Sequence, residues 1–328
     1  MADKYYDPTA TGADDGSSWA NAWQTLQKAA DNAVSGDTVW CSDGNAPETL
    51  LAKVDFDTNA GAATAPIKWI GVNPSTHADD GTLCVVDGDS TAPYCLDLLN
   101  AADYGVLRNF RLINATSAGI HVGASCVRWV IDNVECESNG SHGFWFGSSS
   151  ISGYVVTRLR CNNNTNNGIV NMSESHIYEC EAIGNGGYGM RSYNMSVFER
   201  CIAHGNGGRG IVMDQGTFPG GSIINCVIDG NGDNGVQFGA NMWATVRMCR
   251  ITNNGGWGIE IDATGGDYYE DLNVIVGNTL GQVTDPSSLL RRGGHSLETG
   301  ADGYVDRAAD NFTTATNAQL RREEYKPF

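Results

Sequence analysis

The sequence predicts an all-β fold, a right-handed parallel β-helix solenoid of roughly 23-residue coils with an N-terminal capping α-helix and an irregular C-terminal tail. Two interleaved repeats carry that expectation. The first is a glycine followed by an apolar residue, at Gly119-Ile120, Gly143-Phe144, Gly168-Ile169, Gly189-Met190, Gly210-Ile211, Gly235-Val236 and Gly258-Ile259, with gaps of 24, 25, 21, 21, 25 and 23 residues. Asparagine stands four positions before each of the last six glycines, at Asn139, Asn164, Asn185, Asn206, Asn231 and Asn254, while the first coil has Ala115 there and Asn114 beside it. The second repeat is cysteine: Cys180, Cys201, Cys226 and Cys249 lie nine residues before their glycine, and Cys136 and Cys161 lie seven before theirs.

After each glycine runs a short alternating segment, such as Ile120-His121-Val122, Phe144-Trp145-Phe146, Val236-Gln237-Phe238 or Ile259-Glu260-Ile261. Alternation of this length reads as a strand with its apolar residues inward. One such strand cannot bury its face alone, so the coils stack into parallel sheets around a continuous core. The asparagine marks a turn, where its amide can bond the local backbone and the equivalent amide one coil away, and the neighbouring glycine permits positive φ. The two cysteine positions differ by two and share one strand face. Stacking at ~4.7–4.9 Å keeps parallel Cβ atoms beyond the ~3.8 Å of a relaxed disulfide, so free, interior thiols are expected. No CxxC or Cys/His cluster suggests zinc.

Three segments are expected: 1–37, an N-terminal segment with the capping helix; 38–280, the β-helix; and 281–328, a tail. Trp19, Trp23, Leu26, Ala29, Ala30 and Ala33 form one helical stripe, followed by Ser35-Gly36-Asp37-Thr38-Val39. An end coil exposes unpaired backbone and apolar core, and a helix there covers both. Between Val39 and Leu112 the coils are less regular, with strand-like runs at Ile67-Lys68-Trp69-Ile70, Leu83-Cys84-Val85-Val86 and Tyr94-Cys95-Leu96-Asp97-Leu98. The pattern is expected to stop at Leu280. Beyond it stand Arg291, Arg292, Arg307, Arg321 and Arg322 with few periodic apolar positions, a segment that either fills a seam or reaches a neighbouring subunit.

On the glycine, asparagine and cysteine rows and the N-terminal stripe, the chain from Trp19 to about Leu280 resembles the pectate-lyase-like superfamily of right-handed parallel β-helix proteins. The resemblance implies that the helix plugs the open end and that the Gly-Asp-Thr-Val turn enters the first coil. It also implies that an activity, if present, uses carboxylates, sometimes with calcium, and a basic residue on one outer sheet face. Two departures count against pectate cleavage. Trp129-Val130-Ile131-Asp132-Asn133 has asparagine where the family's strand carries histidine, and the basic signature with paired arginines around proline is absent.

The outward column after the glycines reads His121, Trp145, Val170, Arg191, Val212, Gln237 and Glu260, with Asp214 and Asp262 further along their strands. Arg191, Asp214, Gln237, Glu260 and Asp262 are the candidate groove residues. Asp214 lies two coils from Glu260, roughly 10 Å away, near the separation of an inverting glycosidase pair. An acidic, solvated sheet face also produces scattered carboxylates with no catalytic role. The row before the glycines holds His142, Asn167, Tyr188, Arg209, Asn234 and Trp257. Trp145, Tyr188 and Trp257 are the candidates for stacking on sugar rings, against the plainer reading of a solvated edge or subunit contact. No resident cofactor or metal site is expected; Asp262, Asp267, Glu270 and Asp271 could hold calcium but lack a known loop spacing.

The 38 acidic against 20 basic residues, a formal charge of −18, repel phosphate backbones, and no stretch is apolar and long enough to span a bilayer, so nucleic acid and a membrane span are excluded as expectations. The start, Met1-Ala2-Asp3-Lys4, lacks a secretory pattern. Six Asn-x-Ser/Thr sequons, at Asn114, Asn139, Asn163, Asn171, Asn194 and Asn311, follow from an asparagine-rich repeat. The leading expectation is a non-catalytic structural or receptor- and glycan-binding virion protein of the phage decoration, fibre or tailspike type. It would be a homotrimer or part of a larger assembly, displayed on the virion after synthesis in the host cytoplasm. The alternatives are a polysaccharide lyase or glycoside hydrolase acting outside the cell, and a cell-surface carbohydrate-binding or filament-forming module.

Overall fold

A computed structural model describes residues 2–306 except 57–58, 100–102, 124–125, 148–152, 215–219, 263–265, 285–289, 293–296 and 301–302. The described residues form a parallel β-solenoid. A ten-stranded front sheet takes one strand from each coil, from Val54–Phe56 through Tyr94–Leu98, Ala118–Val122 and His142–Phe146 to Gly281–Thr284. The remaining 21 strands form a back sheet. A column of residues with left-handed backbone, Asn109, Asn133, Arg158, Glu179, Arg200, Asn225, Met248 and Leu272, bends this back sheet lengthwise into two faces. Three faces thus enclose one core, lined by Phe110, Phe144, Phe146, Phe198 and Phe238 among others.

The asparagine row is a hydrogen-bonded ladder. In each rung the side-chain carbonyl accepts both the backbone N–H and the side-chain amide of the coil before, as Asn206 Oδ1 does from Asn185 at 3.1 and 2.9 Å. The second side-chain N–H closes on a backbone carbonyl, here Ala182 O at 2.9 Å. The ladder opens at the Ala115 amide and ends at Asn278, one rung beyond the repeat read from the sequence. Glycine beside the asparagine takes positive φ at Gly184, Gly205, Gly230 and Gly277, as expected, and the glycine four residues later has a different role. Positive φ falls on the residue before each asparagine, such as Gly184 or Asn253, whereas the repeat glycines are needed for close approach: a Cβ on Gly210 would lie 2.6 Å from Gly235 O and 2.9 Å from the Asn231 amide.

All ten cysteines are free and buried. Cys136 pairs in register with Cys161, and that row continues as Ala182 and Ala203. Cys180, Cys201, Cys226 and Cys249 form a second inward row, in which the Cys201 amide donates to Cys226 Sγ at 3.4 Å.

The ends differ from expectation in two ways. The helix, α1, covers only Leu26–Asn32, because Trp23 is taken by the sheet instead: its N–H donates to Tyr5 O at 2.9 Å and its carbonyl accepts from Asp7 at 3.0 Å. Thr25 then caps α1 by accepting from Lys28. Leu26, Ala29, Ala30 and Ala33 remain buried, and the strand Asp3–Tyr6 extends the back sheet beside Thr38–Cys41. Trp19, outside the helix, stacks on His77 at 3.9 Å. At the other end the repeat does not stop at Leu280: Gly281–Thr284, Leu290–Arg292 and Leu297–Gly300 each pair in parallel with the coil before. Arg307, Asn311, Arg321 and Arg322 lie outside the described residues.

Candidate functional site

The outer face of the front sheet places the predicted column in register. Asp55, Asp97, His121, Trp145 and Val170 follow one another coil by coil, as do Arg191, Val212, Gln237 and Glu260; a register shift between Ile169 and Met172 separates the two runs. Val170, Val212 and Gln237 are buried despite their outward register. Two clusters remain accessible, separated by about 10 Å of sheet between Trp145 and Arg191, two coils at the usual strand spacing.

The first cluster was missed by sequence reasoning apart from Trp145, His121 and His142. Its base is Asp97, whose side chain is 2% exposed. Asp97 accepts from Lys53 Nζ at 2.5 Å and bonds His121 Nδ1 at 2.7 Å, and Lys53 also reaches Asp55 at 2.8 Å. Burial opposes charge on Asp97, but the bonds to His121 and Lys53 outweigh it and hold the carboxyl below its usual range. Over this polar base lie aromatic rings. Tyr94 stacks on His121 at 4.4 Å, Trp145 tilts against His121 at 4.7 Å, and His142 meets Trp145 at 5.5 Å. Gly147 makes room for the imidazole, since a Cβ there would lie 2.7 Å from His121 Nε2. Burial, with the charge of Asp97, raises the Tyr94 phenol, and burial lowers His142. The result is a half-buried aromatic platform whose central ring is fixed in orientation by a carboxylate, the arrangement that presents a flat apolar face with polar rims to a ligand.

The second cluster contains the predicted groove residues. Arg191 Nε donates to Asp214 Oδ2 at 2.5 Å, and its guanidinium lies over Tyr193 at 5.0 Å and Tyr188 at 5.8 Å. Arg209 covers Tyr188 at 5.7 Å and pairs with Asp233 at 3.1 Å. Glu260 accepts from Asn234 Nδ2 at 2.5 Å, and Asn234 in turn accepts from the Trp257 amide at 2.7 Å. Burial raises the Glu260 carboxyl, with Asp262 and Asp233 adding to the effect against Arg209. Asp262 is exposed just past its strand. Of the stacking candidates, Trp145 belongs to the first cluster; Tyr188 is engaged by two guanidiniums, and the ring of Trp257 lies against Gly281, where a Cβ would come within 2.3 Å of it.

The acidic residues considered for calcium do not converge. Glu270 is buried and accepts from Asn273 at 2.9 Å, and Asp271 lies toward Arg247. Among the described residues no three His, Cys, Asp or Glu side chains form a metal-sized group, and no helix is long and apolar enough to cross a membrane.

The profile of a family described as right handed beta helix region matches residues 98–242. No curated protein sequence matches the chain. Among solved structures, the pectate lyase Pel9A superposes with a TM-score of 0.67 at 16% identity, covering 98% of this chain and 90% of that one. A rhamnogalacturonan lyase gives 0.54 at 12% identity over 92% of this chain and 86% of the other. The catalytic unit of a GH87 α-1,3-glucanase from Streptomyces thermodiastaticus gives 0.51 at 11% identity over 88% and 66%. At these identities the likeness is one of fold. The chain is a right-handed parallel β-helix of the pectate-lyase-like fold.

Proposed function

We propose that this protein binds a polysaccharide along the outer face of its front sheet, and that it does so as a receptor-binding virion protein. The observation that carries the reading is the first cluster: Tyr94, His121, Trp145 and His142 form an aromatic surface over the buried Asp97–Lys53 pair. Sugar rings stack on such faces by their C–H surfaces, while the polar rim bonds their hydroxyls. The fold neighbours that carry names of lyases and a glucanase support a glycan as the ligand class. Trp145→Ala removes an outward-facing ring of the platform that lies outside the buried core, and is expected to weaken polysaccharide binding by about tenfold, worth about 1.4 kcal/mol. Affinity electrophoresis against a panel of soluble polysaccharides measures it; unchanged mobility of the variant in every retarding gel would refute the platform. The trimer expected for a virion role is checked by light scattering on the full chain.

Glycan cleavage is the second reading, favoured by one observation: Glu260 and the ion-paired Asp214 stand two coils apart on the same sheet, and burial raises the Glu260 carboxyl from its ordinary value. Two coils set the strands roughly 10 Å apart, just beyond the ~6.5–9.5 Å between the carboxylates of an inverting pair, and under this reading side-chain reach closes the difference. Under this reading new reducing ends appear with the parent chain and fall by about 10³-fold or more in Glu260→Gln. Reducing-end release that is equal in the parent and the variant rules Glu260 out.

A further inference from the structure

Resting on the polysaccharide-binding reading, we propose that the glycan seated on the front sheet is uncharged, a neutral polysaccharide without carboxylate or sulfate groups. Along the two clusters every Lys and Arg is already engaged by a carboxylate of this chain. Lys53 is bound by Asp97 and Asp55, Arg191 by Asp214 and Arg209 by Asp233. His121 is held by the same Asp97. Three permanent cations thus face six carboxylates, once Glu260 and Asp262 are included, within a chain of net charge −18.

A polyuronate laid on this face would bring about one carboxylate per sugar, and each would meet a surface that is already negative in sum. To bind it, Arg191 or Arg209 would have to leave its internal partner, and that partner, Asp214 or Asp233, would then stand unpaired beside the ligand's charge. A neutral sugar demands no such exchange. Its hydroxyls donate to carboxylates, which at neutral pH only accept, and its ring faces stack on Tyr94, His121 and Trp145 irrespective of charge. Asp262 and Glu260 become acceptors for hydroxyl donors and not a source of repulsion.

The test uses the full chain in affinity electrophoresis and calorimetry against dextran, mixed-linkage β-glucan and galactomannan on one side, and polygalacturonate and alginate on the other. The uronates are tried with and without millimolar calcium, and chitosan is included as the cationic probe. At least one neutral polymer is expected to bind at least about tenfold more tightly than either uronate, with affinity changing less than about twofold between low and high salt. Equal or tighter binding of polygalacturonate or alginate, or a preference for chitosan that salt abolishes, overturns the neutral assignment while leaving the binding face in place. If no polymer binds, or if Trp145→Ala binds as the parent does, the binding reading itself fails and the assignment falls with it.

Discussion

Asn206→Ala is expected to cost on the order of 4 kcal/mol, because it strands several buried groups at once. Alanine leaves the Asn185 backbone N–H, one Asn185 side-chain hydrogen and the Ala182 carbonyl without their partner, all in a stretch closed to water. Each buried group left unsatisfied costs about 1–3 kcal/mol, and the ladder has no slack to recruit a replacement. Exposed Asn166, two coils back, is the control, with Asn166→Ala expected within about 0.5 kcal/mol of the parent. Urea denaturation followed by circular dichroism gives both numbers, and hydrogen exchange on the flanking coils shows where the structure opens, since a stacked array need not unfold as one step. Equal costs for the two substitutions would mean that the ladder decorates the turn without holding it.

Asp97→Ala is the second large effect, with an expected loss of about 3 kcal/mol at neutral pH. The substitution leaves Lys53 and the His121 N–H without the carboxylate that binds them, and breaking a buried pair by removing one partner costs about 3–5 kcal/mol. The lower end applies because Lys53 is about one-third exposed and keeps Asp55. The pH dependence has a definite sign. Asp97 has a folded pKa below its unfolded value, so its contribution is present above the unfolded value of about 3.9 and fades as pH falls through the lower folded one. Parent and variant should therefore differ most near neutrality and converge in acid. A gap in melting temperature that stays constant down to strongly acidic pH would show that Asp97 acts by shape and not by charge. The same variant should lose polysaccharide affinity, since His121 is oriented by Asp97 and packs against both Tyr94 and Trp145.

The solenoid was legible because its determinants repeat. One buried Asn per coil and one glycine four residues later state the same physical requirement six times over, and chance does not sustain such a row. The seventh rung was hidden at Asn278, where Gln282 replaces the glycine and itself bonds the Asn278 amide at 2.9 Å. The helix was read too long because Trp19 and Trp23 fit a helical stripe, while the bridge between Tyr6 and Trp23 leaves no local trace in sequence. The outer-face placement of Arg191, Asp214 and Glu260 was legible because they sit in regular coils where period two holds. Lys53, Asp55, Tyr94 and Asp97 were not, since they come from the irregular early coils, where no glycine row fixes the register. One signal was available: Asp97 precedes His121 by 24 residues, the spacing of one coil, and stands in the alternating Leu96-Asp97-Leu98.

The rungs of the ladder are separated by as few as 21 residues and as many as 25, yet the hydrogen bonds between their asparagines stay between 2.8 and 3.1 Å. The surplus length is taken up between the front strand and the back sheet. Ser173 leads to His176 and Tyr193 to Ser196 by the shortest path, whereas the chain from Phe146 to Val155 and from Asp214 to Gly221 is longer. The ladder is therefore independent of how many residues follow each front strand. Chain length can change there from coil to coil at small entropic cost while the stacked scaffold is inherited unchanged.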